Sequence, residues 1–228
     1  VFNAIPSLIH TLAEMSFLVL NLANNHAMDQ GESWLTTTQK FLAARKIRFV
    51  GTGHTLEQAW APEIVEKNGI KIAFLWASYA SYNDDGTKMS NRIARMQDTK
   101  NLEIAIRRAR EYTREPTALQ KDFAHASIDF GADMIIGAHP HWTQWIESYK
   151  WKYIFYSLGN FVFDQDFSPE TMTGLAAHIF LEKNTTTKLK HVELHPIIIE
   201  NYGQPRLLSG EAKMKALADI GQTKDILQ

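Results

Sequence analysis

The chain has no cysteine. Disulfides, zinc-thiolate centres and thiol nucleophiles are thereby excluded together, so any metal must be held by His, Asn, Asp, Glu or backbone oxygen. It also lacks an excess of either charge. Lys and Arg number 24 against 25 Asp and Glu, a formal net charge of −1, which removes the electrostatic case for nucleic acid or an anionic membrane surface as partner. Apolar runs are short: none nears the ~20 residues needed to cross a bilayer, and no basic stretch leading into an apolar one stands at the start. Repeats, low-complexity tracts and an interdomain linker are missing as well. With 228 residues, 45% of them hydrophobic, the sequence reads as one α/β domain over 1–228. It opens at Val1 within a helical pattern, which predicts that an N-terminal portion precedes it.

What the chain does have is strands that empty into polar loops. Ile5, Leu8, Ile9, Leu12 and Ala13 recur at helical spacing, and "FLVLNLA" then reads as a buried strand of the parallel type. "NLANNHAMDQG" follows. Beyond it Asp29 and Glu32 stand in N-cap and N3 relation ahead of a helix whose Trp34, Leu35, Phe41 and Leu42 share a face, and "IRFVG" forms the next strand. "EIVEK", Asn68-Gly69 and "IKIAFLWA" predict a hairpin with a tight turn. "SYASYNDDGTKMSNRIARMQ" reads as a long polar loop, and "DTKNLEIAIRRAREY" as a helix. "PTALQKDFAHASIDFG" is a second helix, ending at Gly131, after which "ADMIIGAH" is a strand running into a loop. From Trp142 the pattern alternates, which predicts a second, largely antiparallel sheet, and "SGEAKMKALADIG" closes with a helix.

Two of these strand ends carry histidine. In "GAHPH", an extended backbone would project His139 and His141 to one side, with Pro140 fixing the chain between them. Imidazole is a common neutral ligand for Zn, Mn or Fe, and the amide of Asn25, beside His26, can add a carbonyl oxygen. One histidine in a loop is as readily a cap as a ligand. Two clusters at the carboxyl ends of strands, where α/β sheets bind ligands, favour a site. Asp29 has two readings, the N-cap or a carboxylate that orients His26. Asn160, after "YIFYSLG", either lines the same cleft or caps a turn beside Gly159. His10, His54 and His125 read as structural; His178, His191 and His195 alternate in strands and face solvent or a neighbouring strand; Trp142 and Trp145 read as packing residues.

"LANNHAMDQG", "VGTGHTLEQAWAP", "GIKIAFLWAS", "GADMIIGAHPHWTQWIE", "YIFYSLGNFVFDQ" and "PIIIENYGQPRLLSGEA" span nearly the whole chain. Together they resemble the bacterial capsule synthesis protein family, of the CapA or PgsA type associated with poly-γ-glutamate, within the calcineurin-like metallophosphoesterase superfamily. The resemblance implies a two-sheet sandwich flanked by helices, with a site at the strand ends for one or two divalent ions (Mn, Fe, Zn or Mg). It implies Asn25, His139 and His141 as metal ligands and His26 as the group acting on the phosphoryl-like transition state. It further implies a role in capsule or poly-γ-glutamate synthesis, that polymer and capsule assembly proteins as partners, and a cell-surface or membrane-associated location.

The sequence departs from the family pattern in two places. The family's opening strand with its Gly-Asp motif, and the Asn-Leu-Glu motif after it, would lie before Val1. A buried strand expected between "IAIRRARE" and "YTREPTALQ" is missing, with Glu111 running straight into Tyr112. These departures remove the acidic ligands and predict a weakened or absent metal site. They leave two functions in competition, a metal-dependent hydrolase and a non-catalytic scaffold or polymer-binding module.

Overall fold

The computed structural model describes residues 5–78 and 113–227. The long polar loop, the helix "DTKNLEIAIRRAREY" and the Glu111-Tyr112 junction therefore lie outside the described residues. The architecture is mixed α/β, and the chain divides into two compact units, Val1–Arg108 and Ala109–Gln228.

The first unit carries α1 (Leu8–Glu14), β1 (Val19–Asn21), α2 (Glu32–Ala44), β2 (Arg48–Val50), α3 (Leu56–Ala59), β3 (Glu63–Lys67) and β4 (Ile70–Phe74). β1 and β2 pair in parallel, Leu20 opposite Phe49, as expected of a β-loop-α-β unit. β1 is half-buried rather than buried, however, and α1 buries none of its residues. On α2 the inward face is Leu35, Gln39 and Leu42, while Trp34 and Phe41 are exposed. The predicted face was thus rotated: positions 35, 39 and 42 follow the i, i+4, i+7 spacing of one stripe, and Gln39 is accommodated by donating to the Thr52 hydroxyl at 3.1 Å. The β3–β4 hairpin forms as predicted. Asn68 and Gly69 take φ of 54° and 74°, the doubly left-handed turn whose twist suits the flanking strands. A small core joins Ala23, Met28 and Leu35, with Ala27 and Trp76 packed against it.

The second unit begins with α4 (Ala118–Asp129), closed at its N-terminus by a reciprocal bond pair between Thr117 and Gln120. Next come β5 (Ile135–Ile136), β6 (Ile146–Tyr149) and β7 (Lys152–Phe155), in the order β5-β7-β6, with β5 parallel to β7 and β6 antiparallel to it. The alternating segment from Trp142 was predicted to open the second sheet, but its first two strands join β5 instead. The separate antiparallel sheet starts at β8 (Thr173–Lys183), which pairs along β9 (Thr187–Glu200); the other edge of β9 takes β10 (Gln204–Leu207) and, past α5 (Gly210–Ala218), β11 (Ile226–Leu227). Val192 and Leu194 of β9 bury with Phe155, Leu175, Leu217 and Ile220 in the main core.

Candidate functional site

The loop after β1 is built by its own amides. The Asn21 side-chain oxygen accepts from the Ala23 backbone N–H at 2.8 Å, and that of Asn24 accepts from the His26 N–H at 2.9 Å. Such local side-chain-to-backbone bonds turn the chain out of the strand without a helix or ladder. Asn25 and His26, both half-buried, are presented by this turn.

Asp29 does not cap α2. The N-cap is Gly31, with φ 80°, and it makes no side-chain cap bond. The Asp29 carboxylate, whose side chain is 1% exposed, instead lies 3.1 Å from Nδ1 of His26 through both oxygens. Buried carboxylates need a donor, and the imidazole N–H supplies one. With Nδ1 donating to Asp29, Nε2 is the nitrogen that takes up or releases the second proton.

In the second unit, "GAHPH" leaves β5 along a close approach. Gly137 donates to Phe155 O at 2.7 Å, and a Cβ on it would collide with the backbone oxygen of Tyr156. His139 and His141 are not extended, as the alternation argument required. Their φ values are 98° and 62°, sparsely populated for side chains with a Cβ, and backbone strain of this kind clusters at functional sites. The two rings nonetheless lie near one another, with centroids 6.1 Å apart.

Asn160 decides the tautomer of His141. Its Nδ2 donates to the backbone carbonyl of Thr171 at 3.0 Å and to Gln165 Oε1 at 3.1 Å, so its Oδ1 must be the atom facing His141 Nδ1 at 2.9 Å. A carbonyl oxygen can only accept. Nδ1 of His141 is therefore the donor to Asn160, and in the neutral ring Nε2 holds the lone pair, the form in which imidazole binds a metal with its other nitrogen held by an outer partner. Asn160 is 8% exposed. Beside this loop the buried Nε1 of Trp142, next to His141 in sequence, finds no hydrogen-bond partner among the described residues. Neutral ring nitrogens and amide oxygens of these kinds fit a divalent transition ion.

Sequence reasoning passed over a second group of donors. Among the described residues, His178, Glu193 and His195 offer ligand atoms that all lie within 4.8 Å of one another, a group able to hold a metal ion. The alternation "HVELH" in β9 was the available signal, since residues two apart share a face of a strand. The cross-strand partner His178, opposite Glu193, required the register.

Residues 1–165 match the family described as bacterial capsule synthesis protein PGA_cap. The PGA biosynthesis protein CapA of Bacillus subtilis (strain 168) is 33% identical over 224 residues, covering 92% of this chain and 58% of that protein. The capsule biosynthesis protein CapA of Bacillus anthracis is 32% identical over 205 residues, 82% of this chain and 50% of that protein. An uncharacterized protein of Sinorhizobium fredii, y4sH, is 22% identical over 241 residues, 71% of this chain and 52% of that protein. The chain thus spans about half the length of these curated relatives. With more than half of its residues matched by the family, the chain belongs to the bacterial capsule synthesis protein family PGA_cap.

Proposed function

We propose that the chain acts in the synthesis of a capsule or poly-γ-glutamate type of polymer at the cell surface, through a metal-dependent, phosphoesterase-like site. In this reading the chain functions as one domain, a two-sheet sandwich of the metallophosphoesterase kind. Asn25, His139 and His141 hold one or two divalent ions of the Mn, Fe, Zn or Mg class, with the polymer and capsule assembly proteins as partners. The observation that carries it is the Asn160–His141 bond, which engages Nδ1 as a donor and leaves Nε2 as the nitrogen that a metal would take. A bound ion would polarise the phosphoryl group and stabilise its developing charge. His26 holds a proton at Nε2 for the leaving oxygen while Asp29 accepts from Nδ1 and steadies the resulting charge. Among the described residues no helix is long and apolar enough to cross a membrane.

A specific observation favours a second reading, a non-catalytic scaffold or polymer-binding module. Among the described residues, the group of three or more His and carboxylate side chains able to hold a metal is the one on β8 and β9. One experiment separates the two. Purified protein is assayed for bound metal by elemental analysis, for hydrolysis of an activated phosphodiester, and for binding of poly-γ-glutamate. The hydrolase reading expects His139→Ala and His141→Ala to lose metal and activity, and Asn160→Ala to weaken metal binding about 10- to 100-fold. Unchanged metal content and activity in the histidine variants would overturn it, and polymer binding that survives them would establish the scaffold.

A further inference from the structure

We propose that the outer face of the β8–β9 ribbon is a second metal site, separate from the histidine loops, which takes a single late first-row divalent cation of the zinc class. Val192 and Leu194 point into the core, so His191, Glu193 and His195 share the opposite face of β9, and the register sets His178 of β8 directly across from Glu193. The distances separate coordination from simple ion pairing. Oε2 of Glu193 lies 3.5 Å from Nε2 of His195 and 4.0 Å from Nδ1 of His178. Both are too long for a hydrogen bond between ring nitrogen and carboxylate. The 3.5 Å separation is close to the edge of a tetrahedron whose centre lies 2.0–2.1 Å from each corner, about 3.4 Å, and the 4.0 Å one is longer, so His178 closes in as the ion binds.

The stoichiometry points the same way. One carboxylate serves three imidazoles, because Nε2 of His191 also lies 3.5 Å from its other oxygen, Oε1. As cations three such rings would repel one another around Glu193, and Asp225, whose field also reaches His195, is already paired with Lys213, whereas as neutral rings they offer lone pairs. A dication reconciles them. The donors are also partly fixed in advance: the Phe180 ring lies 4.1 Å from that of His178 and 4.2 Å from that of His191, stacked on the latter. Two or three ring nitrogens with one carboxylate select zinc-like ions over magnesium or calcium, which prefer all-oxygen cages. His178, with a side chain 62% exposed, leaves the remaining coordination position facing solvent. The bound ion clamps β8 to β9 through their side chains, adding a fastening beyond the backbone ladder.

The test uses the full chain, stripped with chelator and dialysed against Zn²⁺, with bound metal counted by elemental analysis and the unfolding midpoint followed by circular dichroism. Co²⁺ in place of zinc reports the ligand geometry optically. The wild type is expected to bind one more equivalent of zinc than His178→Ala/His195→Ala and to gain thermal stability from it. Glu193→Gln should bind that equivalent at least tenfold more weakly, and His139→Ala/His141→Ala should retain it. Retention alongside loss at the loops keeps this site distinct from the proposed catalytic one. Equal zinc content in the wild type and His178→Ala/His195→Ala, with both folded cooperatively, would overturn the proposal. Because His178 lies on the exposed face, His178→Ala alone gives the same reading without disturbing the core.

Discussion

The two units hold their histidine loops in opposite ways. Among the described residues of Val1–Arg108 the strands are three to five residues long, the core is small, and the loop bearing His26 is shaped by neighbours in sequence: Asn21, Asn24 and Asp29. In Ala109–Gln228 the strands β8 and β9 run for 11 and 14 residues, and the loop bearing His141 is shaped from a distance, by Tyr156 over Gly137 and by Asn160 reached across 19 positions. Locally determined loops tolerate a thin framework. Loops held by distant groups inherit the stability of whatever holds them, so damage to the second unit's core should reach its site, and damage to α1 should not reach His26.

The largest contrast is expected from truncating apolar side chains in each unit. Leu194 is fully buried in the main core, so Leu194→Ala should cost about 2–5 kcal/mol through lost transfer energy and the cavity left behind. Leu8 on α1 is 50% exposed, and Leu8→Ala should change stability by no more than ~0.5 kcal/mol. Urea unfolding gives the totals and amide hydrogen exchange gives the region affected. Equal losses in the two variants would erase the comparison.

A sharper version uses glycines. A Cβ on Gly174 would run into the backbone oxygen of Asn160, and a carbonyl cannot swing aside as a side-chain tip can. Gly174→Ala should therefore cost about 1–3 kcal/mol by overpacking and also shift the histidine resonances of His141, because Asn160 is the group displaced. Gly31 has nothing near its missing Cβ, but its φ of 80° with ψ of −179° is a region essentially confined to glycine, so Gly31→Ala should cost about 1–3 kcal/mol in backbone strain and leave His141 untouched. Undisturbed His141 resonances in Gly174→Ala would show that the loop does not depend on Asn160.

These contrasts also explain what was legible in the residues alone. The Asn68-Gly69 hairpin and the helix ending at Gly131 were readable because a single turn chemistry decides each. The membership of β6 and β7 was not, since alternation gives a strand its faces but not its neighbours, and only Ile135 against Ile154 places them. Asp29 had two local options of similar strength. Burial of its carboxylate beside His26 chose between them, a tertiary fact absent from any window of sequence. The types of the site residues were apparent, while their backbone was not: the positive φ of His139 and His141 is uncommon for a residue with a Cβ, and nothing in their types announces it. The His178 group needed a cross-strand register containing an irregularity at Phe180/Leu181, which no periodicity encodes.

The smallest effect concerns how α4 is fastened to the sheet of the second unit. Glu147 on β6 accepts from Tyr156 Oη at 2.5 Å and pairs with His125 Nε2 of α4 at 2.8 Å, while the His125 ring stacks on Tyr149. Burial alone would raise the Glu147 carboxyl, but the bonds from Tyr156 and His125 outweigh it and hold the group below its ordinary value of 4.5. The same contact, after burial, pushes the Tyr156 phenol well above the usual range. With the folded value of Glu147 below the unfolded one, the unfolded chain binds the proton more readily. The stabilisation is therefore complete above the unfolded value and disappears as pH falls through the folded one. The side chain is 32% exposed, so solvent screens the pair and the contribution is modest. The difference in unfolding midpoint between wild type and Glu147→Gln should stay constant from neutral pH down to about 4.5 and shrink below it. A difference that persists unchanged into strong acid would mean that Glu147 acts through packing rather than charge, and that α4 is fastened by the His125–Tyr149 stack instead.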